Sequence, residues 1–303
     1  MYKLKIKEDK ILSLVLHYFL AFTAIYILMS WSLYLPYRVG QLHFLTVACM
    51  AIAAYFGGFA AREWDWPFAL VLIVGIGIGA FIAFIPSLAI GKAPCFTVVI
   101  VGLTYIFIVK TVIENWELMG GTVGFFGIPS VEHLLPITYL LLIIVGFFIY
   151  RIEHSRLGRA ASVVFVDKDV ATTLGVNIKS LGIFYQIIAG AIGGMAGVFY
   201  AFLIGSLSSE FFTFHMIGTL MCMLFVGGYT TMWGVVVSAP ILGGLPLLLP
   251  SAVASWRQVI YGVLLVLIIL LLPEGLINKR TLSILKRKTK WKTAGNMGKS
   301  KSR

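Results

Sequence analysis

The sequence predicts an all-α, polytopic transmembrane helical bundle. The chain is 60% hydrophobic and only 12% charged, whereas soluble domains carry roughly a quarter charged residues. Long apolar runs recur along it, each near the ~20 residues a helix needs to cross the hydrocarbon core. Backbone groups there must satisfy one another, so such runs form helices rather than open strands. The runs amount to about 8–10 membrane segments, at least one of them discontinuous.

Taken in order, residues 1–10 form a basic N-terminus, with Lys3, Lys5, Lys7 and Lys10 ahead of the first apolar run at 11–33. That run is too long for a signal peptide and no small-residue cleavage site follows it, so it reads as a retained anchor helix. Trp31 and Tyr34 close it at an expected membrane interface. The second run, 40–61, begins with the polar residues Gln41, His43 and Thr46. Runs at 67–90 and 96–113 follow, then a glycine-rich connector, 114–133. The run at 134–150 leads into the one substantial polar stretch of the chain, 151–180. Beyond it lie 181–204, 211–226, the proline-interrupted 235–249, and 259–272. The membrane domain is thus expected over 11–277, with a second basic tail over 278–303.

The net charge of +12 sits mostly in the two tails, which is the pattern of basic residues flanking membrane spans rather than of a nucleic-acid surface. Both tails are therefore expected in the cytoplasm. Arg151, Arg156, Arg159, Lys168 and Lys179 put the 151–180 loop on the same side. An inside-to-inside path needs an even number of crossings, yet the apolar runs ahead of the loop are odd in number. The run at 40–61 is expected to stop short of a full crossing, because its polar start is costly in lipid and tolerable only beside protein or a cavity. This topology places Trp64 outside and Lys92 inside.

Few residues carry site chemistry. Cys49, Cys95 and Cys222 lie in apolar surroundings without ligand spacing and read as buried thiols. Lys110 and Glu114, four apart, can pair or reach the interface. His17, His43 and His215 are isolated, and no Asp or Glu lies in the middle of an apolar run, which argues against a proton or ion relay. No HExxH occurs. Gly298, Lys299 and Ser300 resemble the end of a phosphate loop, but Thr293 stands where that loop needs glycine. No catalytic, cofactor or metal site is expected. Gly190 with Gly194, and Gly193 with Gly197, are spaced for close helix approach, as are Gly75 and Gly79. Asp167 and Asp169 flank Lys168 in a short amphipathic helix, which could lie on headgroups or dock a cytoplasmic partner.

Within and after the loop, SRLGRA, LGVN and AGAIGGMAGVFYA resemble the permease subunits of branched-chain amino acid ABC importers, in the longer of their two types. GQL at 40–42, AIAAY at 51–55, FTVVIVGLTYIF, NWELMGGTVGFFGIP, GGYTTMWG and YGVLLVLIILLLPEGL extend the resemblance over 40–276. It implies a second related permease, two cytoplasmic ABC ATPases and an external substrate-binding protein as partners, with ATP hydrolysis in the ATPases. The loop at 167–177 would be the coupling helix. Arg156, Arg159, Asp167, Asp169 and Gly175 are its candidate residues. Gln41, His43, Thr46 and Tyr55 are candidates for the substrate pathway, with Thr97 and Thr104 beside them on one helix face. The sequence departs from the family pattern at His43–Thr46, where a Ser and a Gly-His pair are usual, at Phe165, where a basic residue is common, and at Val235 and Ser238, which replace Pro and Gly. Branched-chain amino acids or a similar small polar solute are the expected cargo. Urea, amides, nucleosides or sugars, carried by the same kind of permease, are the alternative, and a stand-alone secondary carrier is the next.

Overall fold

A computed structural model describes residues 2–90, 93, 95–248 and isolated positions between 259 and 276. The expected run at 259–272 falls largely outside the described residues, as do Lys92 and the tail at 278–303. The helices are α1 (Tyr2–Tyr37), α2 (Leu45–Glu63), α3 (Phe68–Ile90), α4 (Cys95–Asn115), α5 (Leu134–Glu153), α6 (Arg156–Val166), α7 (Lys168–Thr173), α8 (Ile178–Ile204), α9 (Phe214–Gly227) and α10 (Met232–Leu248). Among the described residues, seven helical stretches are long and apolar enough to cross a membrane, and Met232–Gly244 is a shorter apolar one. The bundle is all-α apart from one two-residue ladder, β1 (Phe125–Phe126) on β2 (Ser206–Leu207).

α8 is the central post, and its glycines explain why. Gly190 and Gly194 meet α3 at Gly79 and Gly75, so closely that a Cβ on Gly190 would overlap the Gly79 carbonyl oxygen and one on Gly194 that of Gly75. On its other side, a Cβ on Gly193 would stand 2.8 Å from the Thr46 carbonyl oxygen, and one on Gly197 would overlap that of Met50 in α2. Two rows of small residues on one helix thus seat two neighbours at backbone contact. In a membrane, where lipid is as apolar as leucine, such close dispersion contact is a main source of helix association.

Contacts fix which helix ends share a face. Tyr34 donates to Glu153, and Arg38 Nη2 donates to Ser162 Oγ at 2.9 Å, so α1 ends on the loop face of the bundle. Farther back along α1, the Leu20 carbonyl accepts from Tyr139 near the start of α5. The chain then passes to the far face in two parts. Residues 38–44 cover the first, with Gln41 beside Gln186 and Thr46 already at Gly193 in the middle of α8. α2 completes it to Arg62, which donates to the Phe126 carbonyl at 2.8 Å. α3 returns antiparallel to α8 along the glycine seam. α4 crosses back, ending where Glu114 accepts from Ser209 Oγ at 2.8 Å.

This corrects the expected crossing count. The polar break is present, since residues 38–44 are non-helical and largely buried and α2 begins beside the middle of α8. The segment as a whole still passes from the loop face to the far face. Five segments traverse the bundle ahead of the loop, so the start of α1 and the 151–180 loop lie on opposite faces. Trp31 and Tyr34, expected at a lipid interface, are instead buried; Trp31 Nε1 donates to the Met232 carbonyl at 3.0 Å. After α8, α9 and α10 complete two more passes. Leu276 N donates to the Val226 carbonyl at 2.9 Å, which brings positions 275–276 to the loop face.

Candidate functional site

The polar break is built by a helix stop. Gly40 takes a left-handed φ of +69°, its N–H bonds to the Tyr37 carbonyl at 2.9 Å, and the Gln41 N–H bonds to the Pro36 carbonyl at 3.1 Å. That pair of bonds is a Schellman stop, which a glycine adopts without a Cβ penalty. It delivers Gln41 inward at a fixed angle. Gln41 is 3% exposed and its Oε1 accepts from Gln186 Nε2 of α8 at 2.6 Å. Gly182, one turn before Gln186, makes room, since a Cβ there would stand 3.0 Å from Gln41 Nε2. Gly102 of α4 backs the turn from its other side, its Cβ position lying 3.0 Å from Phe44 N.

His43 and Thr46 are buried in the same turn and the start of α2. Both His43 ring nitrogens, Thr46 Oγ1 and Gln186 Oε1 are buried without a protein hydrogen-bond partner. Each buried polar group left in this state costs about 1–3 kcal/mol, so such groups gather where water or a solute completes them. Tyr55 also has a buried, unpartnered hydroxyl, but it stands nine residues on, about 13 Å along the helix, with its ring edge-on to Phe212 at 6.1 Å. The structure therefore brings Gln41, His43 and Thr46 together with Gln186 and places Tyr55 toward the far face. Thr97 and Thr104 share a face of α4, as their spacing requires, but that face is exposed and does not meet the buried cluster.

The 151–180 loop folds as two short helices. Ser155 Oγ caps α6, accepting from Leu157 N at 3.1 Å and Gly158 N at 3.4 Å. Asp167 Oδ1 caps α7, accepting from Asp169 N at 2.8 Å and Val170 N at 3.2 Å. Gly175, φ +79°, closes α7 with the same Schellman pattern as Gly40. Asn177 then caps α8. The predicted short helix near 167–174 is α7; the longer α6 ahead of it was missed. Arg156, Arg159 and Asp169 are exposed, and Arg159 Nη1 donates to the His154 carbonyl at 3.4 Å. The loop also exposes apolar side chains, Val166 at 84%, Val170 at 48% and Leu174 at 67%.

The departures from the family pattern acquire contacts here. Phe165 packs on Tyr37 at 5.5 Å and Tyr229 at 6.2 Å between ring centres. Ser238 Oγ donates to the Met223 carbonyl, joining α10 to α9. Arg38, Ser162, Glu153 and Gln186 were not singled out from sequence. Gln186 had a visible signal, a lone amide inside the apolar run SLGIFYQIIAG. Among the described residues, no three of His, Cys, Asp or Glu gather as a metal site. Cys49 and Cys222 are buried thiols.

Apolar helices of crossing length, packed through glycine seams around a polar turn, define a multi-pass α-helical membrane protein. Residues 15–269 match the branched-chain amino acid transport system permease component family, and the chain belongs to it. It is similar to the high-affinity branched-chain amino acid transport system permease protein LivM of Escherichia coli, 28% identical over 165 residues, covering 54% of this chain and 39% of that protein. The LivM of Salmonella typhimurium is 28% identical over 159 residues, 51% of this chain and 37% of its own length. The chain thus matches well under half the length of these relatives. No solved structure matches it.

Proposed function

We propose that this chain is the membrane-spanning permease subunit of an ATP-driven importer for branched-chain amino acids, with the 151–180 loop in the cytoplasm. The observation that carries the reading is the loop itself. Two capped helices present Val166, Val170 and Leu174 to solvent, and apolar side chains exposed outside the membrane call for a partner surface. The partners in this reading are two cytoplasmic ABC ATPases at α6 and α7, a second related permease, and an external binding protein that delivers the solute to the far face. ATP hydrolysis belongs to the ATPases, so this chain is a conduit rather than an enzyme. Arg156, Arg159, Asp169 and the apolar trio are its docking residues, and Asp167 and Gly175 shape the helix that carries them.

Gln41, His43, Thr46 and Gln186 are the polar groups nearest the inner end of the path. Their unpartnered donors and acceptors suit the ammonium and carboxylate of an amino acid in transit. Tyr55 would serve the outer half. Thr97 and Thr104, exposed on α4, take part only where a second subunit covers that face.

The test is reconstitution of this chain with the four partner proteins in proteoliposomes. Uptake of leucine, isoleucine or valine should require internal ATP and the binding protein, and should survive collapse of ion gradients. Uptake that follows an ion gradient without ATPases would mark a stand-alone carrier instead. Competition by urea, an amide, a nucleoside or a sugar, but not by leucine, would reassign the cargo.

A further inference from the structure

We propose that Arg38, Gln41 and Gln186 are positioning residues that carry movement of α6 and α7 into the buried polar cluster through the α1–α2 turn. The proposal rests on the importer reading above and adds the route by which the stroke reaches the pathway.

The turn is fastened to the loop at several points. Arg38 Nη2 donates to Ser162 Oγ at 2.9 Å, and Ser162 Oγ in turn donates to the Gly158 carbonyl at 3.0 Å, so the guanidinium is tied to the backbone of α6. The Tyr37 ring packs at a tilt against Phe165. Tyr34 donates to Glu153 at the end of α5. Lys168 Cε lies 4.0 Å from the Cβ position of Gly40.

Between Arg38 and Gln41 the backbone has little slack. Arg38 N, Val39 N, Gly40 N and Gln41 N are all hydrogen-bonded to carbonyls of the last turn of α1. A displacement that α6 imposes on Arg38 is therefore delivered to Gln41 rather than absorbed. Gln41 then meets α8 through one amide–amide bond to Gln186, with Gly182 keeping the approach clear.

The covalent route from α7 to α8 is closed by the same kind of hydrogen-bonded turn, Gly175 N and Val176 N bonding to the Thr172 and Ala171 carbonyls. It runs exposed through Gly175 and Asn177, however, whereas the route through Gln41 is buried. Packed and hydrogen-bonded side chains with two discrete arrangements are what carries coupling between sites. The Gln41–Gln186 pair has the means for a second arrangement, because Gln186 Oε1 and both His43 ring nitrogens are buried without partners.

The experiment compares wild type with Arg38→Ala, Gln186→Ala, the double variant and Ser162→Thr. Each is reconstituted with both ATPases, the second permease and the binding protein, and the readout is ATP hydrolysed per solute carried. Each alanine variant should retain its ATPases and raise that ratio about threefold or more, and the double should be no worse than the more severe single, as residues on one route are non-additive. Ser162→Thr keeps the hydroxyl and should keep the ratio. Unchanged ratios in both singles, including a case where only yield falls, would overturn the relay while leaving the importer reading intact. So would effects that multiply independently in the double. A wild-type chain that retains no ATPase would overturn both.

Discussion

The central and outer helices of this bundle obey opposite rules. α3 is the most apolar of the crossing helices, yet only 22% of its membrane-length stretch is buried, whereas α2 is the least apolar and 78% of its stretch is buried. α4 and α5 behave like α3, at 28% each, and α8 like α2, at 78%. In water, burial selects apolar residues. Here the outer medium is expected to be apolar as well, so burial selects small residues and the polar groups that lipid would reject. α2 and α8 accordingly hold Thr46 and Gln41's partner Gln186 and pack through Gly193 and Gly197. α3 joins the centre only along its Gly75–Gly79 stripe and gives the rest of its surface to the outside. α5, by contrast, exposes Leu140, Ile143 and Phe147 and touches α1 through side chains, with the Trp31 ring against Gly146.

The contrast can be broken at matched glycines. Gly79→Leu drives a side chain into the Gly190 backbone, which cannot shift as a side-chain tip can; overpacking of this kind should cost about 3 kcal/mol or prevent folding. Gly77→Leu, two residues away with nothing within 4 Å, should leave stability unchanged or raise it by up to about 1 kcal/mol, as a mid-helix glycine gives way to a better helix former. Denaturant titration in detergent measures both, and similar losses at the two sites would remove the distinction between seam and lipid face.

Polar residues sharpen it next. Gln186→Leu leaves Gln41 buried without its partner and should destabilise by about 1–3 kcal/mol. Thr104→Leu, on the exposed face of α4, should be neutral in the same assay. A Thr104→Leu chain that is stable but lost to uptake would instead put that face in the pathway.

The smallest effects lie in the loop. Asp167→Ala removes the α7 cap and should cost about 1 kcal/mol of local helix stability, read as faster amide exchange at Asp169 and Val170. Asp167→Asn should retain the cap. Asp169→Ala should leave exchange unaltered. If Asp167 and Asp169 changed together to Ala leave uptake and stimulated ATPase activity intact, the docking assignment for this segment fails.

The helical class, the run boundaries and the glycine rows were legible because each depends on local composition. Gly190 and Gly194 could be paired on one face from spacing alone, but not matched to Gly79 and Gly75, since partner choice depends on the whole bundle. The polar start at Gln41–Thr46 announced a break correctly. It did not reveal that the extended residues after Gly40 and the helix that follows add up to one full pass, and the crossing count went wrong for that reason. Charge rules placed both tails on the loop side; the contacts of Tyr34, Arg38 and Tyr139 put the start of α1 on the far face instead. In the loop, Asp167 was read as a docking charge, and the structure shows its carboxylate turned back onto its own helix. Arg38 gave no sequence signal at all, because its meaning lies in Ser162, more than a hundred residues away.

The glycine seams have a mechanical consequence. Helices that touch through backbone have no side-chain layer between them to shear, so α2, α3 and α8 form a rigid wedge. Paired spin labels on α3 and α8 should hold one separation throughout a transport cycle. Any swing between open and shut then falls to α5, whose contacts with α1 are side-chain tips that can trade partners at little cost, while α4 is held to the α1–α2 turn through Gly102. The α5 wall is thus the moving part and the glycine-packed centre the fixed one.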